Sequence, residues 1–245
     1  MTWWEALLLV LGGLAAGVIN TMAGGGSALT VPLLVLAGVP GNQANGSNRV
    51  GIFAASAAAV LSFRRTGATS IAGARNVLIP TVIGSVVGSF TVSKIADDTF
   101  ETVFGLLMFP IVILTVMKPK VKTDVRPWPA WVTVLVFILI GLYGGAFQAG
   151  VGLVLLAALT RAGYDLVTAN NIKVFINLIV VSIALPIFIL NGDVVWGPAL
   201  VLAFGFMVGG WFGAKLAVHG GERLVRIFMV VASVFLAGKL LGLWG

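Results

Sequence analysis

The sequence predicts an all-α, polytopic transmembrane protein made of two homologous four-element repeats. Three observations carry that expectation. Of 245 residues, 59% are hydrophobic and only 9% are charged, with a mean hydropathy of +1.10, whereas a soluble domain carries roughly 25% charged residues. Apolar runs fill almost the whole chain, and no polar interval is long enough for a soluble domain. Short polar motifs inside those runs recur at nearly one offset in the two halves.

The runs cover about 3–22, 27–39, 45–63, 76–95, 100–117, 129–149, 151–160, 166–190, 194–218 and 223–244. A helix needs roughly 17–25 residues to span a bilayer, so 27–39 and 151–160 are too short to cross unaided. Each follows a glycine-rich break after a longer run, which predicts broken or re-entrant hairpins. The N-terminus, MTWWEALLLVLGG, has no basic stretch before its apolar run. Trp3 and Trp4 read as an interfacial anchor and the run as part of the mature protein.

Loop charges set the orientation. Arg64, Arg65 and Arg75 flank one loop, and Lys118, Lys120, Lys122 and Arg126 fill another; both are expected on the cytoplasmic side. The loop with Asp97 and Asp98 then lies outside. Lys215, Arg223 and Arg226 mark a further cytoplasmic loop, and the Asn191-Gly192-Asp193 turn is external. Parity then requires 3–39 to be a hairpin entering from outside and 129–163 a hairpin entering from inside. Each hairpin precedes three spans, so the repeats, 1–120 and 121–245, are expected to be inverted; one long kinked helix over 129–160 would make them parallel instead.

Internal similarity supports the duplication. LAAGVINTMAGGGS (14–27) resembles LYGGAFQAGVG (142–152), offset by 128 from Gly17 to Gly145, and Asn20 pairs with Gln148. ANGSNRVGIF (44–53) resembles TANNIKVFIN (168–177), offset by 124 from Arg49 to Lys173, and Ser47 pairs with Asn171. Gly84 and Gly88 match Gly209 and Gly213 at an offset of 125; such spacings let membrane helices approach closely.

Composition excludes several functions. There is no cysteine and a single histidine, His219, so disulfides, thiolate chemistry and Cys/His zinc sites are ruled out. The net charge of +7 sits mostly in short loops, where it orients the chain and does not indicate nucleic acid. Ser27 and His219 fall in different repeats, and no acid pair is placed for protease chemistry. No catalytic residue, metal or cofactor is expected.

Arg49 and Lys173 are the main candidates for function. Each lies inside an apolar run at matching repeat positions, after amide-rich sequence. They could snorkel to the headgroups or stand as fixed charges beside a central cavity. Every acidic residue falls at a predicted helix end or in a loop, so a mobile anion is the natural partner of a buried cation. Gly24, Gly25, Gly26 and Ser27, with Gly150 and Gly152 in the second half, either permit tight packing or open half-helices whose N–H groups favour anions. Helix starts after Asn42 or Asn45, and after Thr168 or Asn170, would add two more such ends. Asn20, Gln148, Asn45, Asn48, Asn170, Asn171 and Asn177, with Ser47, either bond helices together or recognise oxyanions. Phe53, Phe90, Phe109, Phe188 and Trp211 read as lipid-facing or packing residues.

The GGGS segment, ANGSNRV opening the next helix, and TANNIKVFIN together resemble the sulfite exporter TauE/SafE family of bacterial-type membrane permeases. The resemblance extends over nearly the whole chain, although Ile172 stands where the family often has a polar residue. It implies transport of a small sulfur-containing anion, such as sulfite or a sulfonate. It places Gly24 to Ser27, Asn45, Asn48 and Arg49 on one side of the substrate, and Asn171 and Lys173 on the other.

The expected protein is therefore a multi-pass permease of the cytoplasmic membrane working by alternating access, its partners the bilayer and a small anion. Alternatives are an anion channel without alternating access, a non-transporting scaffold, or an intramembrane hydrolase. Chains this small often dimerise, so a homodimer is the one protein partner considered.

Overall fold

The computed structural model describes residues 1–22, 24–65, 74–117 and 128–219, and among these every regular element is an α-helix. They are α1 (Trp3–Met22), α2 (Ser27–Leu36), α3 (Gly41–Arg65), α4 (Arg75–Val92), α5 (Asp97–Met117), α6 (Ala130–Ala146), α7 (Val151–Arg161), α8 (Leu166–Leu190) and α9 (Trp196–His219). The helices follow the apolar runs closely. Lys118, Lys120, Lys122 and Arg126, the cations Arg223 and Arg226, and the run 223–244 lie outside the described residues.

Segments within α1, α4, α8 and α9 are long and apolar enough to cross a membrane. Much of their outward surface is apolar, with Leu8, Leu11, Ile83, Val87, Leu200 and Phe204 exposed, as a lipid-facing surface requires. Trp3 and Trp4, also exposed, stack on each other at the end of α1. The helix α3 is as long as α8, but its first third, GNQANGSNR, is polar and, apart from Gln43, buried.

The short elements fold back. Gly26 lies against Ala16 and Asn20, and Leu33 against Gly12, so α2 runs antiparallel to α1 and the two form a hairpin. The second pair, α6 and α7, breaks at residues 147–150, where Gln148 and Gly150 adopt positive φ of 61° and 68°. Left-handed backbone is rare outside glycine, and two such residues within one break reverse the chain sharply. Tyr143 Oη donates to the Ala149 carbonyl at 2.6 Å, closing the turn.

Close helix crossings fix the directions of the rest. A Cβ on Gly13 or Gly17 would collide with the backbone of α9 near Leu202 and Phe206, and one on Gly205 or Gly209 with Val10 or Leu14; α1 and α9 therefore run parallel. Gly84 and Gly88 meet Ile138 and Leu142, and Gly141 and Gly145 meet Thr81 and Ser85, so α4 and α6 are parallel too. Gly51 and Gly210 place α3 parallel to α9. Near one end of α3, Gly46 meets Phe188 of α8, while near its other end Ala59 and Phe63 cluster with Val174 of α8. These two helices are antiparallel.

Two bundles result. One gathers α1, α2, α3 and α9; the other gathers α4, α6, α7 and α8. Each holds three helices from one half of the sequence and one helix, α9 or α4, from the other half. The main helix pair between them is α3 with α8.

Candidate functional site

Arg49 sits about two turns into α3 and Lys173 about two turns into α8, and both side chains are fully buried in the protein. Neither snorkels. Arg49 crosses the bundle interface to the C-terminal end of α6. Its Nη1 donates to the Gly144 carbonyl at 3.4 Å, and its Nη2 donates to the carbonyls of Gly145 and, at 3.0 Å, Ala146. Its guanidinium carbon lies 4.3 Å from the centroid of Phe188 on α8, a cation–π contact. Asn45, one turn earlier on α3, donates from Nδ2 to the Ala146 carbonyl at 2.8 Å.

Lys173 makes the reverse crossing. Its Nζ donates to the Thr21 carbonyl in the last turn of α1 at 2.9 Å, and to Asn170 Oδ1 at 2.7 Å. Both cations thus meet helix C-termini, where unpaired carbonyls and the negative end of the macrodipole favour positive charge. No carboxylate among the described residues forms an ion pair with either one. The buried charges thus have fixed dipolar partners in the other bundle.

The hairpin tips meet between them. Gly152 N–H donates to the Gly24 carbonyl at 3.1 Å, and a Cβ on either glycine would strike the other's backbone. Gly24 also adopts φ +85°. Glycine is required here twice, for conformation and for approach. Gly25, Gly26 and Ser27 are buried where α2 opens, and Asn20 lies beside Gly26.

The remaining amides divide. Asn48 Oδ1 accepts from Thr30 Oγ1, tying the first turn of α2 to α3. Gln148 Nε2 reaches Asn177 Oδ1 at 3.4 Å inside the second bundle. Asn171 is buried and Asn170 holds Lys173. Ser47 is used differently: its Oγ accepts the N–H of Val195 at 2.9 Å, seating the α8–α9 turn on α3. Buried polar atoms with no hydrogen-bond partner among the described residues include Asn42 Oδ1, Ser56 Oγ, Ser85 Oγ and Asp193 Oδ2, and also Ser27 Oγ, Asn45 Oδ1, Asn48 Nδ2, Arg49 Nε and Gln148 Oε1. Such orphans are uncommon in native proteins, and the last five belong to the residues singled out from the sequence.

Two expected helix ends need correcting. Asn42, Asn45, Thr168 and Asn170 lie inside α3 and α8, which begin earlier, at Gly41 and Leu166. Their first turns already have carboxylate acceptors: Asp97 Oδ1 takes the N–H of Asn42 at 2.8 Å, and Asp165 Oδ1 takes that of Thr168 at 3.0 Å. One N–H at each end is therefore already taken by a carboxylate, as in a helix cap. From the sequence Phe188 reads only as a lipid-facing or packing residue, and neither Thr30 nor the carbonyls of 144–146 stand out. Only the offset between the Arg49 and Lys173 motifs hinted that each cation would have an equivalent partner.

The helices and their apolar spans place the chain in the class of polytopic helical membrane proteins. The profile of the family "Sulfite exporter TauE/SafE" matches residues 9–240, and the chain belongs to that family, one of membrane transporters. A probable membrane transporter protein, ORF9, of Sinorhizobium sp is 28% identical over 230 residues, covering 92% of this chain and 88% of that protein. The probable membrane transporter protein YfcA of Escherichia coli (strain K12) is also 28% identical, covering 92% and 86%. A probable membrane transporter protein of Haemophilus influenzae is 27% identical, covering 93% and 91%. No solved structure matches the chain.

Proposed function

We propose that this protein moves a small sulfur-containing anion, such as sulfite or a sulfonate, across the cytoplasmic membrane by alternating access. The observation that carries the reading is the pair of fully buried cations at the bundle interface, beside orphaned donors on Arg49 Nε, Asn48 Nδ2 and Ser27 Oγ. The carbonyls that hold Arg49 leave its Nε unused, and Thr30 occupies only the oxygen of Asn48. Donors of this kind complement an oxyanion. Ser27 stands one turn before Thr30 on α2 and so shares its face.

The halves act as inverted repeats in this reading. The directions of the helices support it: α1, α3 and α9 point one way, while α4, α6 and α8 point the other. Exchanging the halves turns the pairing of α1 with α9 into that of α6 with α4, and leaves α3 with α8 unchanged. The sulfur chemistry itself comes from the family description.

Equilibrium binding tests the site. Purified protein is titrated with sulfite and with sulfoacetate, and affinity is read calorimetrically. Lys173→Gln and Arg49→Gln are each expected to weaken binding roughly tenfold or more, the scale of a lost charged hydrogen bond, without loss of helix content. Undiminished affinity in both variants would move the site elsewhere.

A further inference from the structure

Apart from the Arg49–Phe188 cation–π contact and the Ser47–Val195 bond at the α8–α9 turn, every polar tie described above between the two bundles involves a hairpin tip or the end of a hairpin's first helix. Arg49 and Asn45 of the first bundle grip the carbonyl end of α6, Lys173 of the second grips the carbonyl end of α1, and the tips join through Gly152 and Gly24. By contrast, the glycine crossings lock α1 onto α9 and α6 onto α4 inside each bundle. The pattern is crossed: each cation holds the hairpin that the opposite bundle carries. We propose that Arg49 and Lys173 are reciprocal positioning residues, each clamping the hairpin of the opposite bundle in the ligand-free protein.

The geometry favours release over a permanent joint. Glycine contacts between backbones lack side chains that could give way, whereas a guanidinium or ammonium can exchange carbonyl oxygens for the oxygens of an anion at little net change in hydrogen bonding. This consequence rests on the transport reading, since it makes the clamps the parts an arriving anion would loosen. The clamps themselves do not rest on it. They are testable with no anion present.

The test is hydrogen exchange on the full chain in lipid nanodiscs without added anion, read separately for segments 19–25 and 143–150. The first contains the Gly24 amide, bonded to the Ile19 carbonyl, and the second the Phe147 amide, bonded to the Tyr143 carbonyl. Arg49→Gln is expected to speed exchange at 143–150 roughly tenfold or more and to leave 19–25 within about twofold. Lys173→Gln is expected to do the reverse. Arg49→Lys, which keeps a charge but loses the fork that spans three carbonyls, should restore part of the protection. Asn45→Ala leaves both cations in place and should give a smaller rise at 143–150 alone; it carries the test if Arg49→Gln does not fold. Equal acceleration of both segments by either cation variant, no acceleration, or loosening of the hairpin in the variant's own bundle would overturn the proposal. No anion binding by the unsubstituted protein, with the crossed pattern intact, would leave the clamps standing and remove only the transport reading.

Discussion

A lysine or arginine with no water and no counter-ion is among the costliest groups a membrane protein can hold. Here each cation is met by carbonyl oxygens at a helix C-terminus, and Arg49 also by the face of Phe188. Phe188→Leu should keep the packing but lose the aromatic face, at a cost of about 0.5–2 kcal/mol, read as a lower unfolding midpoint in detergent. The glycines make an equally sharp contrast. Gly24→Ala would place a Cβ at φ +85° and against the backbone of Gly152, and should cost about 2–4 kcal/mol from left-handed strain and overpacking together. Gly197→Ala, whose Cβ would meet nothing within 4 Å, should be neutral or slightly stabilising in the same thermal assay.

At the scale of helices, the α8–α9 turn is pinned to α3 by the Val195–Ser47 bond, with the Asp193 carbonyl against Gly46. Partial burial and the neighbouring Asp97 carboxylate push Asp193 up to about 6, against an ordinary value near 3.8. The folded state then binds this proton more tightly than the unfolded one, so stability falls as pH rises from about 3.8 through about 6 and stays at the lower level above. Asp193→Asn should therefore raise the unfolding midpoint more at pH 7.5 than at pH 4.5. An equal change at both would place the effect in packing and not in charge. Most of this architecture was legible in the sequence, because glycine, proline or asparagine interrupts the lipid-compatible runs at most helix breaks, the α4–α5 break at 93–96 excepted: the run read as 166–190 is α8, and 3–22 is α1. The ends of α3 and α8 were misjudged because Asp97 and Asp165 looked like loop acids. One of them, Asp97, reaches its helix from 55 positions away, a distance no local motif encodes. The site was half legible for a related reason. Cations and amides announce themselves as side chains, but their acceptors are backbone carbonyls of Thr21 and of 144–146, which any residue could supply.

For the whole molecule, the packing changes which parts can move as units. The bundles do not follow chain order, because α9 packs with α1 and α3 while α4 packs with α6 and α8. The α1–α9 and α4–α6 crossings are glycine-lined and dense. A rocking motion that split the halves at the sequence midpoint would tear both crossings, whereas among the described residues motion between the two bundles would mainly break the α3–α8 contact and the clamped hairpins. Gly145→Leu, forced against Ser85, should therefore destabilise the fold by several kcal/mol, since a large side chain has no room at that crossing, and this would be read as loss of the monodisperse species on size exclusion. The central claim is that an anion binds between the bundles and is carried across by their movement. The most direct test is charge movement in proteoliposomes on rapid exposure to sulfite, sulfate, thiosulfate, sulfoacetate, taurine and chloride. The account expects a saturable transient for one or a few sulfur oxyanions, lost in Lys173→Gln. A sustained, non-saturating current shared with chloride, or a transient unchanged in both Lys173→Gln and Arg49→Gln, would contradict it.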